Sequence, residues 1–385
     1  MREKININIA NIIFVIFIIL FFIYTYNFNK NHSYAVAETS ESAPGIAFAK
    51  GKVLSVNNDG VQENADLYFK EAHKGEQIVE LKILEGEYKG EVVQCKNYLL
   101  TTNYMFLKEN DRVLVQITKN VVNDEMCYDI YQYDRRTVIY VMISLFVLSI
   151  ILIGRMKGVK TILALCFALY TILYFTLPLI YHGKSPIMIS ILSVVLISVV
   201  TFVLLNGWSD KTRGAFISTS LGVVSAGVIY SIFSAFLHIT GFHTAEASSI
   251  MLIQSTFGLQ IKDILFATIL IASLGAVMDV GMSITSALHE IMEIKPEITK
   301  KQLFVSGMNI GKDMIGTMAN TLILAFVGTS FISIITISFA GMNIKQLINS
   351  NYISIELLQG LSATMAVVLT VPIASFVSAY LYTEK

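Results

Sequence analysis

Charge is scarce in this chain. Lysine, arginine, aspartate and glutamate make up 15% of its 385 residues and cancel to a net charge of zero. A nucleic-acid-binding protein is expected to carry a basic face, so this balance gives no support to such a partner. Cysteine is sparser still: Cys95, Cys127 and Cys166 lack the C-x-x-C spacing of zinc and redox sites. Cys95 and Cys127 lie in one soluble segment, where either a disulfide or two free thiols are open outcomes. There is no P-loop and no G-x-S-x-G nucleophile elbow. His289-Glu290-Ile291-Met292-Glu293 offers the first half of an H-E-x-x-H zinc motif, but Glu293 stands where the second histidine should be. His238, His243 and Glu246 could meet a metal, although isolated histidines at a membrane boundary are the commoner case. The expectation is a non-enzyme with no catalytic residue, no cofactor and no metal.

Apolar residues are abundant: 54% of the chain is hydrophobic and the mean hydropathy is +0.64. This describes a polytopic membrane protein whose first partner is the lipid bilayer. A spanning helix needs about 20 mostly apolar residues, and eight segments qualify: Ile5–Tyr26, Thr137–Ile153, Thr161–Tyr181, Pro186–Leu205, Ala215–Leu237, Ile264–Ile284, Met314–Ser338 and Ile355–Leu381. Ala35-Val36-Ala37 has the form of a signal-peptidase site, but it lies well beyond an apolar run longer than signal peptides carry, so a retained anchor is expected. Arg2, Lys4, Arg155, Lys157, Lys160, Lys211, Arg213, Lys295, Lys300, Lys301, Lys312 and Lys385 fall at one set of span ends; the opposite short loops hold Lys184, Lys262 and Lys345. The lysine- and arginine-rich side is cytoplasmic. Both termini are then on the cytoplasmic side of the plasma membrane, and residues 27–136 are extracytoplasmic.

The predicted fold class is mainly α: a polytopic membrane helix bundle of about eight transmembrane helices with a small extracytoplasmic β-barrel-like domain. The domains follow as an anchor at 1–26, a linker at 27–49, the β-rich domain at 50–136 and a seven-helix bundle at 137–385. In the β-rich part, Gly51–Val56, Gln77–Leu84, Tyr88–Cys95 and Arg112–Thr118 are short, β-branched and bounded by turn residues. Ile78, Glu80, Lys82 and Leu84 fall on one side of the second run, and Gln77, Val79, Leu81 and Ile83 on the other. A small barrel like an oligonucleotide/oligosaccharide-binding fold fits, as do other small barrels. It serves either as a cap or as the surface for a protein partner. In the bundle, Gly214, Ser218, Gly222 and Ala226 place small side chains at every fourth position for close helix packing. Pro178 and Pro372 are expected to bend their spans. A short re-entrant or interfacial helix is expected around Ala245–Thr256.

Two helices carry the residues that suggest chemistry. Asp279, Ser283, Ser286, Glu290 and Glu293 share one helical face, and Asn309, Asp313, Gly316 and Asn320 share another. An ionised carboxylate in hydrocarbon costs about 2.5–3.5 kcal/mol on insertion scales, so these stripes are expected to turn inward, toward each other. Asp279 and Asp313 then act as charged elements of a pathway for a small solute or ion, with Asn309, Thr317, Asn320 and Ser283 as neutral ligands and Glu290 and Lys312 as a cytoplasmic gate. The structural alternative pairs Asp279 with Lys312 and uses Asp313 to cap its helix. The functional alternative is a non-transporting scaffold or sensor whose exported domain binds a partner.

These stretches are similar to the YibE/F family of bacterial integral membrane proteins. The resemblance rests on Gly275-Ala276-Val277-Met278-Asp279-Val280, on Ser306-Gly307-Met308-Asn309-Ile310-Gly311-Lys312-Asp313 and on Gly316-Thr317-Met318-Ala319-Asn320-Thr321, with Gly86-Glu87-Tyr88-Lys89-Gly90 and Asp111-Arg112-Val113-Leu114-Val115 in the exported part. It implies one N-terminal span, an exported β-rich domain and a multi-span bundle. It implies little about activity, because members are usually described only as membrane proteins and sometimes as transporters.

Overall fold

The computed structural model describes residues 2–31, 46–63, 73–99, 104–119, 126–239, 261–339 and 341–383, without the side chains of residues 2–9 and 261–262. Much of the predicted linker, the Ala35–Ala37 triplet, the predicted helix at Ala245–Thr256, His243 and Glu246 lie outside the described residues. The chain forms two compact units, one of residues 32–149 and one of residues 1–31 with 150–385.

The first unit holds a six-stranded antiparallel sheet: β1 (Ile46–Asn57), β2 (Val61–Glu63), β3 (His73–Ile83), β4 (Val92–Leu99), β5 (Arg112–Lys119) and β6 (Met126–Tyr133). The order runs β3–β1–β5–β6, and both β2 and β4 pair with β3. The curled sheet is a half-barrel, which meets the predicted β-barrel-like domain in part. Period-two alternation builds its core: Val53, Val79, Leu81, Ile83, Val113 and Val115 are fully buried. The expected strand Tyr88–Cys95 shifts forward, because Gly86 and Gly90 take positive φ (85° and 99°) and spend the preceding residues on a turn.

Gln77 lies on the inward side of β3, fully buried, as the alternation requires. Its Oε1 accepts from the Asn97 amide at 2.9 Å and from the Leu107 backbone N–H at 2.9 Å; its Nε2 donates to Asn58 Oδ1 at 2.8 Å and to the Leu107 carbonyl at 3.1 Å. Asn97 also donates to the Met105 carbonyl at 2.7 Å. One buried amide thus fastens the segment before β5 beneath the sheet, with Leu107 as the plug. At the sheet's end Arg136 donates to Asp134 at 2.8 Å and to Glu85 at 3.1 Å. The Arg136 hydrogen bond holds the Asp134 carboxyl below its ordinary range.

All three cysteines are free thiols. Cys95 points into the half-barrel, and burial, reinforced by the Asp129 charge, pushes its thiol up to about 12, whereas Cys127 is exposed. Only the thiolate reacts. Maleimide at pH 8 is therefore expected to label Cys127 and to spare Cys95 until the unit unfolds; equal labelling in native protein would contradict the packing described.

The second unit is helical, and among the described residues the chain has seven helices long and apolar enough to cross a membrane. They begin with α1 (Arg2–Asn31) and α2 (Arg136–Thr171), which starts in the first unit, enters the second at Ile150 and is continued by a π-helical turn, Ile172–Thr176, and by α3 (Leu177–Tyr181). Here the sequence predicts two spans, and the structure has one apolar helical stretch of 46 residues with an internal break. That stretch breaks at Arg155, whose φ and ψ are 48° and −128°. A Cβ on Gly158 would strike the carbonyl oxygen of Ile150. Those residues would stand about 12 Å apart in a straight helix, so the chain folds sharply back between them. Pro178 acts as predicted: the ladder widens just before it, and Thr176 donates to the Thr171 carbonyl at 3.1 Å. The opened turn also receives α1, with Asn29 donating to the Tyr174 carbonyl at 2.9 Å and Thr25 bonded to Tyr170 Oη at 2.7 Å.

The remaining elements are α4 (Pro186–Asn206), α5 (Asp210–Phe236), α6 (Ile261–Ile294), α7 (Lys300–Phe339), α8 (Ile344–Ile348) and α9 (Asn351–Thr383). The small-residue stripe on α5 does what its spacing predicts: Gly214, Ser218, Gly222 and Ala226 are all buried. A Cβ on Gly214 would lie 3.3 Å from Thr285 of α6 and 3.2 Å from Tyr382 of α9. Several buried hydroxyls bond back one turn, as from Ser218 to the Gly214 carbonyl and from Thr370 to the Ala366 carbonyl, both at 2.7 Å.

Candidate functional site

α6 turns most of its circumference inward. Val277, Val280, Gly281, Ile284 and Leu288 are buried in the core shared with α5 and α9. What is left is a narrow exposed stripe: Thr268, Ala272, Gly275, Asp279 and Ser283 recur every third or fourth residue, and Glu290 follows two turns farther on. Asp279 sits eighteen residues from the start of this 34-residue helix, hence about 27 Å along it. Nothing lies within 4 Å of a Cβ built on Gly275. Among the described residues, no hydrogen bond or ion pair reaches the Asp279 carboxylate.

α7 divides in the same way. Leu303, Gly307, Gly311 and Ser330 are its buried residues. A Cβ on Gly307 would meet Ser375 at 2.6 Å and Leu288 at 2.9 Å, and one on Gly311 would overlap Val371. The glycines thus seat α7 on α9, and the opposite side carries Asn309, Lys312, Asp313, Gly316, Thr317 and Asn320, all exposed. Thr317 bonds only within its helix, to the Met314 carbonyl at 3.0 Å.

This corrects the orientation predicted for both stripes. Within one chain they point away from the helical core, because glycine and branched aliphatic residues take the inner faces. The predicted gate does not meet either: Glu290 faces Lys211 at 3.9 Å, and among the described residues Lys312 has no ion pair. Lys312 therefore does not hold Asp279. Asp313 is not a cap, because α7 begins thirteen residues earlier at Lys300. Thr299 and Gln302 start that helix, each accepting from the other's backbone N–H at 3.3 and 3.2 Å. His289 and Glu293, the ends of the incomplete zinc motif, stand 3.3 Å apart with His289 edge-on to Tyr382.

Comparison with known families matches two profiles in sequence. The YibE/F family N-terminal domain covers residues 48–133, and the YibE/F-like protein covers residues 142–384. The chain belongs to the YibE/F family. The boundary between the YibE/F profiles falls where the sheet ends and α2 begins. No curated protein and no solved structure matches.

This YibE/F chain also holds a carboxylate that the sequence reading passed over. Glu356, near the start of α9, accepts from Ser330 of α7 at 2.6 Å. It borders an apolar cavity of about 230 Å³ lined by Ile323, Phe326, Leu347 and Leu357. Its signal was available: Glu356 is the only acid within the predicted last span, Ile355–Leu381.

Proposed function

We propose that this protein is a multi-pass plasma-membrane protein that moves a small solute or ion, with Asp279 of α6 and Asp313 of α7 as the charged elements of the route. The observation that carries the reading is Asp279. An unpartnered carboxylate midway along an apolar helix is costly in a bilayer, and it lies within a continuous run of small and hydroxyl-bearing residues where a hydrated ion or solute can approach. Ser283 extends that run on α6. Asn309, Thr317 and Asn320 supply neutral oxygens on α7, and Glu290 and Lys312 mark the cytoplasmic end. The reading assigns no catalytic step and no cofactor.

The proposed topology counts the break at Arg155 as a turn between two passes, giving eight. The portion from Arg136 to Gly154 is nineteen residues, or about 28 Å, enough for one crossing. Arg155, Lys157 and Lys160 then sit on the cytoplasmic side with both termini, and residues 27–136 are extracytoplasmic.

The experiment is flux in proteoliposomes containing trapped fluorescent reporters of protons, sodium, potassium and magnesium. Asp279→Asn and Asp313→Asn are expected to leave the protein inserted and monodisperse while reducing flux to that of empty vesicles. Unchanged flux in both variants would overturn the reading. The scaffold alternative draws on the β-unit, where exposed Phe48 and Tyr131 pair edge-to-face at 5.3 Å as an aromatic contact for a protein partner. It forecasts the opposite pattern: function tolerates both asparagines and is lost on deletion of residues 50–133.

A further inference from the structure

Six positions on α7 recur with spacings of four and three residues in alternation: Asn309, Asp313, Gly316, Asn320, Ile323 and Val327. All six are exposed. Alternating four and three is the seam pattern of a left-handed helix pair. The seam runs eighteen residues, about 27 Å, which nearly matches the hydrocarbon thickness of a bilayer. It stops at Ser330, the next position in the pattern, which is buried and bonded to Glu356 of α9.

We propose that this face pairs with the same face of a second copy of the chain, α7 against α7, about a two-fold axis perpendicular to the membrane. The inference rests on the membrane reading above and is independent of transport. Copies of one chain insert in one orientation, so their α7 helices run parallel at equal depth, and each seam position meets its own equivalent or the next one. The charges are self-complementary under that operation. A side chain at Asp313 enters a hole formed by positions 309, 312, 313 and 316 of the facing helix, which brings it to the partner subunit's Lys312. The two-fold axis repeats the contact in reverse. Asn309 and Asn320 each carry a donor and an acceptor, so their amides satisfy one another across the axis.

Gly316 supports the same occupant. Gly307 and Gly311 are closed against Ser375, Leu288 and Val371 inside the chain, but nothing lies within 4 Å of a Cβ on Gly316. A glycine inside a helix is destabilising unless something uses the space. At the seam it admits a second backbone, as small residues do between membrane helices. Lipid tails offer neither the lysine nor the amides. Ile323 and Val327 also border the 230 Å³ apolar cavity, so a second copy extends over its edge.

Disulfide trapping in native membranes tests the pairing in the full chain carrying Cys95→Ala, Cys127→Ser and Cys166→Ser. Single replacements Asn309→Cys, Gly316→Cys, Asn320→Cys and Val327→Cys are expected to give a band of twice the chain mass on copper-phenanthroline oxidation. Thr321→Cys, Ala325→Cys and Thr329→Cys, exposed on the same helix but off the seam, are expected to give at least about tenfold less. With Val327→Cys as reporter, Asp313→Lys is expected to remove the band and Lys312→Asp with Asp313→Lys to restore it. Equal yields on and off the seam, no band from any seam position, or a band of any other mass would each overturn the proposal. None of these readouts involves flux, so pairing and transport stand or fall separately.

Discussion

Replacing Gly222 with leucine is expected to stop the helical unit from assembling. Gly222 lies on α5 where α6 and α9 both approach: a Cβ there would overlap Thr370 Oγ1 and come within 2.7 Å of Val277 Cγ1. Neither neighbour has room to give. Thr370 is fully buried and fixed to the Ala366 carbonyl, and Val277 is fully buried in the core cluster. Gly227, farther along α5, repeats the approach, with Phe266 2.7 Å from its would-be Cβ. Overpacking a dense core costs about 1–3 kcal/mol for added methylenes and more where backbone must separate, so leucine is expected to exceed about 3 kcal/mol. The measurement is the yield of monodisperse protein extracted from membranes, with Gly275→Leu as control because its Cβ meets open space. A Gly222→Leu protein as abundant and heat-stable as wild type would refute the close packing of α5, α6 and α9.

The second large effect belongs to the β-unit. Gln77→Leu preserves approximate side-chain volume but removes four hydrogen bonds, and it strands the Leu107 N–H, the Leu107 carbonyl and the Asn97 amide in a water-poor interior. Each buried group left without a partner costs about 1–3 kcal/mol, so a loss of about 4 kcal/mol is expected. Thermal unfolding followed by circular dichroism on the fragment 46–134 measures it. Asn97→Ala is expected to lose less, because Gln77 keeps its bonds to Leu107 and Asn58. A Gln77→Leu fragment melting within a degree or two of wild type would mean that the segment around Leu107 is held by packing alone.

These two residues also mark how far the sequence could be read. The glycine stripe on α5 was legible because helical periodicity and side-chain size are both written in the sequence, and the structure uses the stripe as its spacing suggests. Gln77 was placed on the correct side of β3 by alternation, but its partners come from residues 20 and 30 positions away, which local pattern does not reveal. β6 was missed although Met126, Tyr128 and Ile130 alternate with Cys127, Asp129 and Tyr131, because its tyrosines and acids dilute the apolar signal. The break at Arg155 was located within a few residues by its basic cluster, even though the helix runs nearly to the break.

The site was less legible for a physical reason. Periodicity shows which residues share a face, but not which face a neighbouring helix covers. On α6 and α7 the expectation assumed that oxygen-bearing side chains would turn inward to escape lipid. Gly281, Gly307 and Gly311 decide otherwise: each lets a neighbouring helix come close on its own side, and the stripes with Asp279 and Asp313 then lie opposite. Glu356 was overlooked for a related reason, since its partner Ser330 lies on another helix.

The tight seating of α5, α6 and α9 limits where anything can cross. At Gly214, Gly222 and Gly281 the central helices approach too closely to leave open space between them. In the transport reading proposed above, a permeant would instead use the small-residue track of α6, with acyl chains or another subunit as the far wall. Its passage would then respond to bilayer thickness and headgroup charge as strongly as to any side chain along the track.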